Sequence, residues 1–336
     1  MTHPRPHAPA ISGLNATDTA VIDWLLAGDP AIAWQTQRDL LDVPPAVWHP
    51  LRQRTLTEGW GARLLALQDP EGGWGGGVYS PKWTSATYTL LTLCDIGVPP
   101  NCPQVQRGAG YVLGMLLGEQ CDAAFRARLA ACDRCIVGMV LRIAVCFGVD
   151  DLRVAAIVEN LLAEGMPDGG WNCRRQRHPQ PTHSSFHTTL NVLEGLRAYL
   201  DTHTTALCHD VCVAEQRALE LLLQHRLYRS DKTGAVIRDE WTHPVYPHRW
   251  HYNLLRGLAY FARTGAPRDP RLEDAVAVLQ QRRQSDGRWP RGKAYTGREF
   301  FTMEPGGPSR WNTLRALHVL RWWQAASHAQ AQGQNE

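Results

Sequence analysis

Nowhere in the 336-residue chain do about 18 apolar residues run together, so no membrane-spanning helix is expected. The opening residues MTHPRPHAPAISG lack the apolar core of a signal peptide, and a cytoplasmic location is expected. Charge of neither sign dominates. The 35 basic and 32 acidic residues leave a net +3, and no Lys/Arg cluster offers a nucleic-acid footprint. Polar–apolar alternation never lasts long enough to suggest a sheet. The nine cysteines are odd in number and irregularly spaced, which argues for reduced thiols, some of them available to a metal, rather than a disulfide framework. What is abundant is apolar residues, 44% of the chain, and tryptophan, with 13 copies. That is enough for one large core or two ordinary ones.

Gly-x-Trp recurs in QDPEGGW (68–74), MPDGGW (166–171) and SDGRW (285–289). Each copy follows an apolar-periodic stretch and precedes another, so the chain reads as a repeat of two-helix units. Six hairpins are expected: 19–27 with 31–42, 50–68 with 83–96, 104–118 with 134–147, 151–165 with 184–201, 211–227 with 249–264, and 270–284 with 310–326. Turn-rich separators divide them, as in PPNCP (99–103) and GAPRDP (265–270). The second members, such as CIVGMVLRIAVCFG (135–148), are apolar nearly all round and so are expected to be buried; the first members carry more charge. The expected fold is an all-α, α/α toroid of about six hairpins, an inner ring of helices inside an outer one. A linear solenoid is the alternative, but it needs polar ends, and the last pair carries Trp311, Trp322 and Trp323. Residues 1–17 are expected to form a flexible N-terminus, 18–328 a single domain, and 329–336 a disordered tail. In each Gly-x-Trp the glycine supplies a tight turn with positive φ, and the tryptophan packs at the junction between hairpins.

Gln68-x-x-x-Gly72-x-Trp74 resembles the QW motif of squalene and terpenoid cyclases. SSFHTTLNVLEGL (184–196) and EPGGPSRWNTLRALHVL (304–320) are similar to segments of protein prenyltransferase β subunits. The resemblance spans the chain from about residue 58 and implies the α/α-toroid superfamily, whose build also occurs in complement proteins and some polysaccharide lyases. It implies an enzyme acting on an isoprenoid, as a diphosphate or a similar apolar anionic ligand, in a central cavity. Three departures bear on chemistry. Where class II cyclases carry D-x-D-D-T-A, this chain reads SPKWTSATYTLL (80–91), and no D-D-x-x-D occurs. The D-x-C spacing of the prenyltransferase zinc site is missing too. A non-catalytic toroid that binds a lipid or a protein partner, and a polysaccharide-active toroid, remain alternatives.

Four constellations are candidates for the site. Cys135, Cys173, His187 and His251 lie near inner-helix starts and offer thiolate and imidazole donors suited to zinc, with His251 as fourth ligand or general base; Cys132, His178 and His183 lie nearby. Buried cysteines acting as small hydrophobes are the competing reading. Lys82-Trp83, Arg134-Cys135, Arg249-Trp250 and Arg310-Trp311 place cations at helix starts, with Arg174 and Arg175 before a further one. A cation there opposes the helix dipole, so a bound anion would compensate; stacking on tryptophan and pairing with Asp133 or Glu304 is the alternative. Trp83, Phe186, Trp250 and Trp311, with Tyr88 and Tyr252, are expected to line a cavity suited to a prenyl chain. Asp239, beside Glu240 and shortly before His243, His248 and His251, is a candidate acid or base together with His187 and His251. Glu194, in the middle of an apolar inner helix, is a further candidate acid or base, but is expected to pair with Arg197 or to lie at an interface.

Overall fold

The helical periodicity is realised as fourteen α-helices among the described residues, with a single two-stranded ladder. The computed structural model describes residues 16–173 and 180–333, so Arg174, Arg175 and His178 lie outside the described residues, as do residues 1–15 and 334–336 of the expected termini. In chain order the helices are α1 (Ala16–Leu26), α2 (Pro30–Asp39), α3 (Pro45–Gln53), α4 (Gly59–Leu65), α5 (Ala86–Ile96), α6 (Pro103–Leu116) and α7 (Ala123–Ala131). There follow α8 (Arg134–Cys146), α9 (Leu152–Ala163), α10 (Phe186–Thr202), α11 (Leu207–Gln224), α12 (Leu254–Thr264), α13 (Glu273–Gln281) and α14 (Arg310–Gly333). Strand β1 (Trp289–Pro290) pairs antiparallel with β2 (Pro308–Ser309). No helix of the described residues is long and apolar enough to cross a membrane.

The helix expected over 50–68 is instead broken. Pro50 lies inside α3, a 3-10 turn covers Arg54–Leu56, and Gly59 has a φ of 67°. A side chain at Gly59 would collide with the Asp29 carboxylate, its Cβ 2.2 Å from Oδ2. That carboxylate caps two helices at once, accepting from Ala31 N of α2 (2.9 Å) and from Trp60 N of α4 (2.7 Å). Helix α7, short and weakly amphipathic, has no counterpart among the expected hairpins, and α12 starts five residues later than the periodicity predicts. Arg249 has a φ of 56°, and the Asn253 side chain caps α12 by accepting from Arg256 N at 2.9 Å.

The three Gly-x-Trp loops share one construction. The glycines Gly72, Gly169 and Gly287 have φ values of 99°, 101° and 82°. Each loop is closed by a reciprocal backbone pair: Asp69 N to Gly73 O with Gly72 N to Asp69 O, Met166 N to Gly170 O with Gly169 N to Met166 O, and Gln284 N to Arg288 O with Gly287 N to Gln284 O. The buried indoles then reach back to the ends of the preceding helices. Trp74 Nε1 donates to Leu64 O (2.8 Å), Trp171 Nε1 to Leu161 O (2.7 Å) and Trp289 Nε1 to Leu279 O (2.8 Å). Those carbonyls belong to the last turns of α4, α9 and α13, where intrahelical partners run out. Each tryptophan thus caps a helix and fills a junction with one side chain.

The second members of the pairs are the buried ones. Helix α5 packs on α8, and α8 packs on α10 at backbone distance, because Gly138 and Gly195 face each other. A Cβ on Gly138 would lie 2.6 Å from Asn191 O, and one on Gly195 would lie 2.5 Å from Gly138 O. Helix α10 meets α12 through Tyr260 Oη, which donates to Leu193 O at 3.1 Å. Helix α12 packs on α14, α14 on α2, α2 on α4, and α4 on α5.

Candidate functional site

Ahead of α5, α8, α10 and α12 the chain brings together much of what the sequence singled out. Lys82 Nζ lies within 4.5 Å of the Tyr79 ring centroid, 5.5 Å of Tyr88, 5.7 Å of Trp83 and 5.8 Å of Trp250, a cage of four aromatic faces. Its ammonium also donates to Tyr79 Oη at 3.4 Å. Burial lowers its pKa from the ordinary lysine value. Trp250 stacks on His251 (3.8 Å between centroids), and His251 stacks on Tyr295 (3.7 Å). His187 stands edge-on to Trp250 at 5.2 Å and to His251 at 5.8 Å. Phe186 packs against Trp241 and Tyr252 on the far side of His187.

Both histidines are neutral at ordinary pH. Burial, with Arg256 and Arg238 adding to it, pushes His187 down to about 4, and burial, with His187 and Arg256, pushes His251 down to about 3. His187 Nδ1 accepts from Tyr252 N at 2.8 Å, so the remaining proton of the imidazole sits on Nε2.

Two thiols complete the cluster. Cys135 in the first turn of α8 and Cys173 ahead of α10 have their Sγ atoms 3.1 Å apart, and Thr188 Oγ1 lies 3.4 Å from Cys173 Sγ. Contact with the Cys135 thiol brings Cys173 down to about 7, whereas the same contact and burial push Cys135 well up. The fit to zinc is poor. A tetrahedral zinc with thiolate bonds of about 2.3 Å holds its sulfurs roughly 3.8 Å apart and needs at least a third protein donor. Among the described residues no three His, Cys, Asp or Glu side chains group as metal ligands. His187 keeps one nitrogen for its Tyr252 bond, and His251 lies flat between two rings.

The cations expected to form one basic rim go to different places. Arg134 is buried and folds back on α7, donating to Leu129 O (2.8 Å), Ala130 O (2.9 Å) and Cys132 O and to Asn160 Oδ1 (2.5 Å). It caps a helix C-terminus, where a cation is favourable. Arg310 lies over Trp24 at 4.4 Å and donates to Trp24 O. Arg249 spans Trp83 at 5.5 Å and pairs with Glu299 at 2.7 Å. Trp311 is fully buried and stacks on Tyr246 at 4.4 Å, away from His187 and His251. Asp239 is exposed at the surface, 3.8 Å from His243 rather than beside His251.

Trp83 is also a wall of a cavity of about 360 Å³. Its lining comes from Thr89 and Thr92 of α5, Leu64 of α4, Tyr246, Pro247 and Arg249, and residues 291–294 and 299–304; of these only Trp83, Arg249 and Glu304 carry a signal in the sequence. The chain between the last two runs is pinned by Arg298, whose N and O pair with Lys82 O and Trp83 N at 2.6 Å each. Glu304 accepts from Ser309 Oγ (2.6 Å), Arg310 N (2.7 Å) and Trp311 N (3.3 Å), capping α14. Tyr246 lines the cavity, and its buried hydroxyl has no hydrogen-bond partner among the described residues.

A charged network joins the inner helices. Arg315 of α14 lies 3.4 Å from Asp95 of α5, Asp95 takes Arg142 of α8 at 2.6 Å, Arg142 reaches Glu194 of α10 at 3.0 Å, and Glu194 holds Arg256 of α12 at 2.8 Å. Glu194 therefore pairs across helices. Arg197, its expected partner, bonds Glu215 instead.

No family model matches the chain, and no curated protein does. Among solved structures it is similar to a type II terpene cyclase from Scytonema, determined in complex with its substrate geranylgeranyl dihydroxybenzoate. The identity is 14% over 83% of this chain and 99% of that one, with a TM-score of 0.28. Similarity at this level fixes neither arrangement nor chemistry.

Proposed function

We propose that the helix pairs close into an α/α toroid and that the protein is an enzyme acting on an isoprenoid or similar apolar ligand with an anionic end. The observation that carries this reading is the cavity beside Trp83, whose size falls within the usual range for small-molecule sites. Leu64, Phe300, Phe301 and Met303 offer an apolar wall for a tail. Arg249 is neutralised by Glu299, and Glu304 is held by the start of α14. Arg291 and Lys293, exposed at the opening, have no carboxylate partner among the described residues and are the charges left to meet an anion. The neighbouring cluster supplies reactive groups: a neutral imidazole at His251 able to take a proton, the Nε2 proton of His187 as a donor, and the Cys173 sulfur as a nucleophile. A carbohydrate-cleaving site would need two available carboxylates; the two that line this cavity are both engaged.

The test is calorimetric titration with farnesyl diphosphate, farnesol and inorganic diphosphate, followed by mass analysis of the incubated ligand. Farnesyl diphosphate is expected to bind more tightly than either half alone, and to be converted. Arg291→Ala with Lys293→Ala should remove about ten- to a hundredfold of its advantage over farnesol, the worth of one or two charge-assisted contacts. Binding without turnover identifies a carrier, and equal affinity for all three probes overturns the reading.

A further inference from the structure

The thiol pair is not needed to hold a ligand in the cavity, yet its geometry is specific. We propose that Cys173 and Cys135 are a redox-active dithiol, in which Cys173 reacts first with a hydroperoxide and Cys135 resolves the product to a disulfide.

The two thiols share a hydrogen bond, Cys173 Sγ to Cys135 Sγ at 3.1 Å, and two further groups meet the Cys173 sulfur: the Thr188 hydroxyl at 3.4 Å and the backbone N–H of Cys135, both able to donate to a thiolate there. That N–H belongs to the first turn of α8, where the unsatisfied amides favour negative charge. Lys82 adds a positive charge near Cys135. Cys135 has no such set; among the described residues its sulfur hydrogen-bonds Cys173 alone. Both side chains are half-buried, open to a small oxidant and shielded from protein thiols. Four other elements of the cluster, Tyr79, Tyr88, Trp83 and Trp250, wall off the Lys82 side.

The step balances with hydrogen peroxide as oxidant. The Cys173 thiolate attacks one peroxide oxygen, the O–O bond breaks, and hydroxide leaves, taking up the proton of the Cys135 thiol to become water. The Cys135 thiolate then attacks the sulfenic sulfur of Cys173, the S–O bond breaks, and the departing hydroxide takes the proton that Cys173 had released. Two thiols are oxidised, one peroxide becomes two waters, and the new bond ties the start of α8 to the segment ahead of α10.

The experiment treats the full-length protein with less than one equivalent of hydrogen peroxide, without denaturant, and maps cysteines by mass spectrometry. The wild type is expected to lose two hydrogens at a Cys135–Cys173 cross-link that dithiothreitol reverses. Cys135→Ser should stop at a sulfenic acid on Cys173 that dimedone labels, and Cys173→Ser should leave Cys135 reduced. Oxidation that begins elsewhere, for instance at Cys94 and Cys146, or a Cys173 that stays reduced while other thiols react, overturns the proposal. So does stoichiometric zinc retained at the pair. The wild-type map decides even if a variant fails to fold, and none of these outcomes depends on the isoprenoid reading.

Discussion

Replacing Asp95 by asparagine removes one negative charge from the inner-helix network while nearly preserving shape. Asp95 Oδ1 accepts from Arg142 at 2.6 Å, and Oδ2 lies 3.4 Å from Arg315 and 3.5 Å from His248. Burial alone would push this carboxyl up; Arg142 and then Arg315 outweigh it and hold the value at about 2, against an ordinary 3.8. A folded-state value below the unfolded one means that the carboxylate stabilises the fold above the unfolded value, and that this contribution is lost as the pH falls through about 2. Holding the group at about 2 instead of 3.8 is worth about 2.5 kcal/mol at neutral pH. Breaking a buried pair by deleting one partner costs about 3–5 kcal/mol, because the arginine left behind is uncompensated. Asparagine still accepts one hydrogen bond from Arg142, and Arg142 keeps Glu194, so the expected loss lies near the lower bound, about 2–3 kcal/mol.

Urea unfolding followed by tryptophan fluorescence measures it, because urea adds no ionic screening. Asp95→Asn should shift the midpoint down at neutral pH with an unchanged slope. The gap between the two proteins should then narrow steadily from about pH 4 to about pH 2, where the wild type loses the same interaction by protonation. Carboxylates with depressed values that share no partner with Asp95 titrate alike in both proteins and cancel in the difference; Glu194, which shares Arg142, is held below this pH window by Arg256 and Arg142. A variant as stable as wild type at neutral pH, or a gap that keeps its size down to about pH 2, refutes the view that these charges hold the inner helices together.

Trp171→Phe should cost about 2–3 kcal/mol in chemical denaturation, because it strands the Leu161 carbonyl at the end of α9 and leaves a void in a fully packed junction. An unchanged midpoint would show that the Gly-x-Trp loops are not caps. Gly138→Ala should cost about 1–3 kcal/mol or more, since its Cβ would meet the α10 backbone at 2.6 Å with no flexible side chain to give way. Gly110→Ala, in α6 with open space around it, should instead raise the melting temperature, by up to about 1 kcal/mol of helix propensity. Thermal melts by circular dichroism separate the pair, and two effects of the same sign would contradict the close approach of α8 and α10.

The paired-helix organisation was legible because it is written in local patterns. Periodicity placed α5, α8, α9 and α10 within a few residues, and the positive φ of Gly72, Gly169 and Gly287 follows from the loop sequence itself. The meeting of Lys82, Cys135, Cys173, His187, Trp250 and His251 was legible for a related reason. All lie at or just ahead of the starts of buried helices, and those starts come together. What the sequence hid was partnership at long range. Arg134 turns back onto α7, a helix too short to read, and Arg249 finds Glu299 in a segment with no periodic signal. An arginine's stem reaches far enough that its neighbour in space decides its role, and no spacing rule fixes that neighbour.

The charged network, by contrast, left a trace that could have been followed. Each inner helix contributes to it one charge set among apolar residues: Asp95, Arg142, Glu194, Arg256 and Arg315, in chain order. A single charge on an apolar face is tolerable only when an adjacent helix supplies its opposite, so signs that alternate from one helix to the next predict neighbours. In chain order the alternation fails once. The mismatch falls between Arg256 and Arg315, and His248 stands there, within reach of Asp95 and with both arginines opposing its protonation. Burial first, and Arg256 next, push that imidazole down to about 3, so it remains neutral where a third cation would be intolerable. The residue that fills the gap is thus set by the sign sequence of the helices around it. His248→Lys should therefore lower the urea midpoint, whereas a midpoint unchanged at neutral pH would show that a further cation is tolerated there.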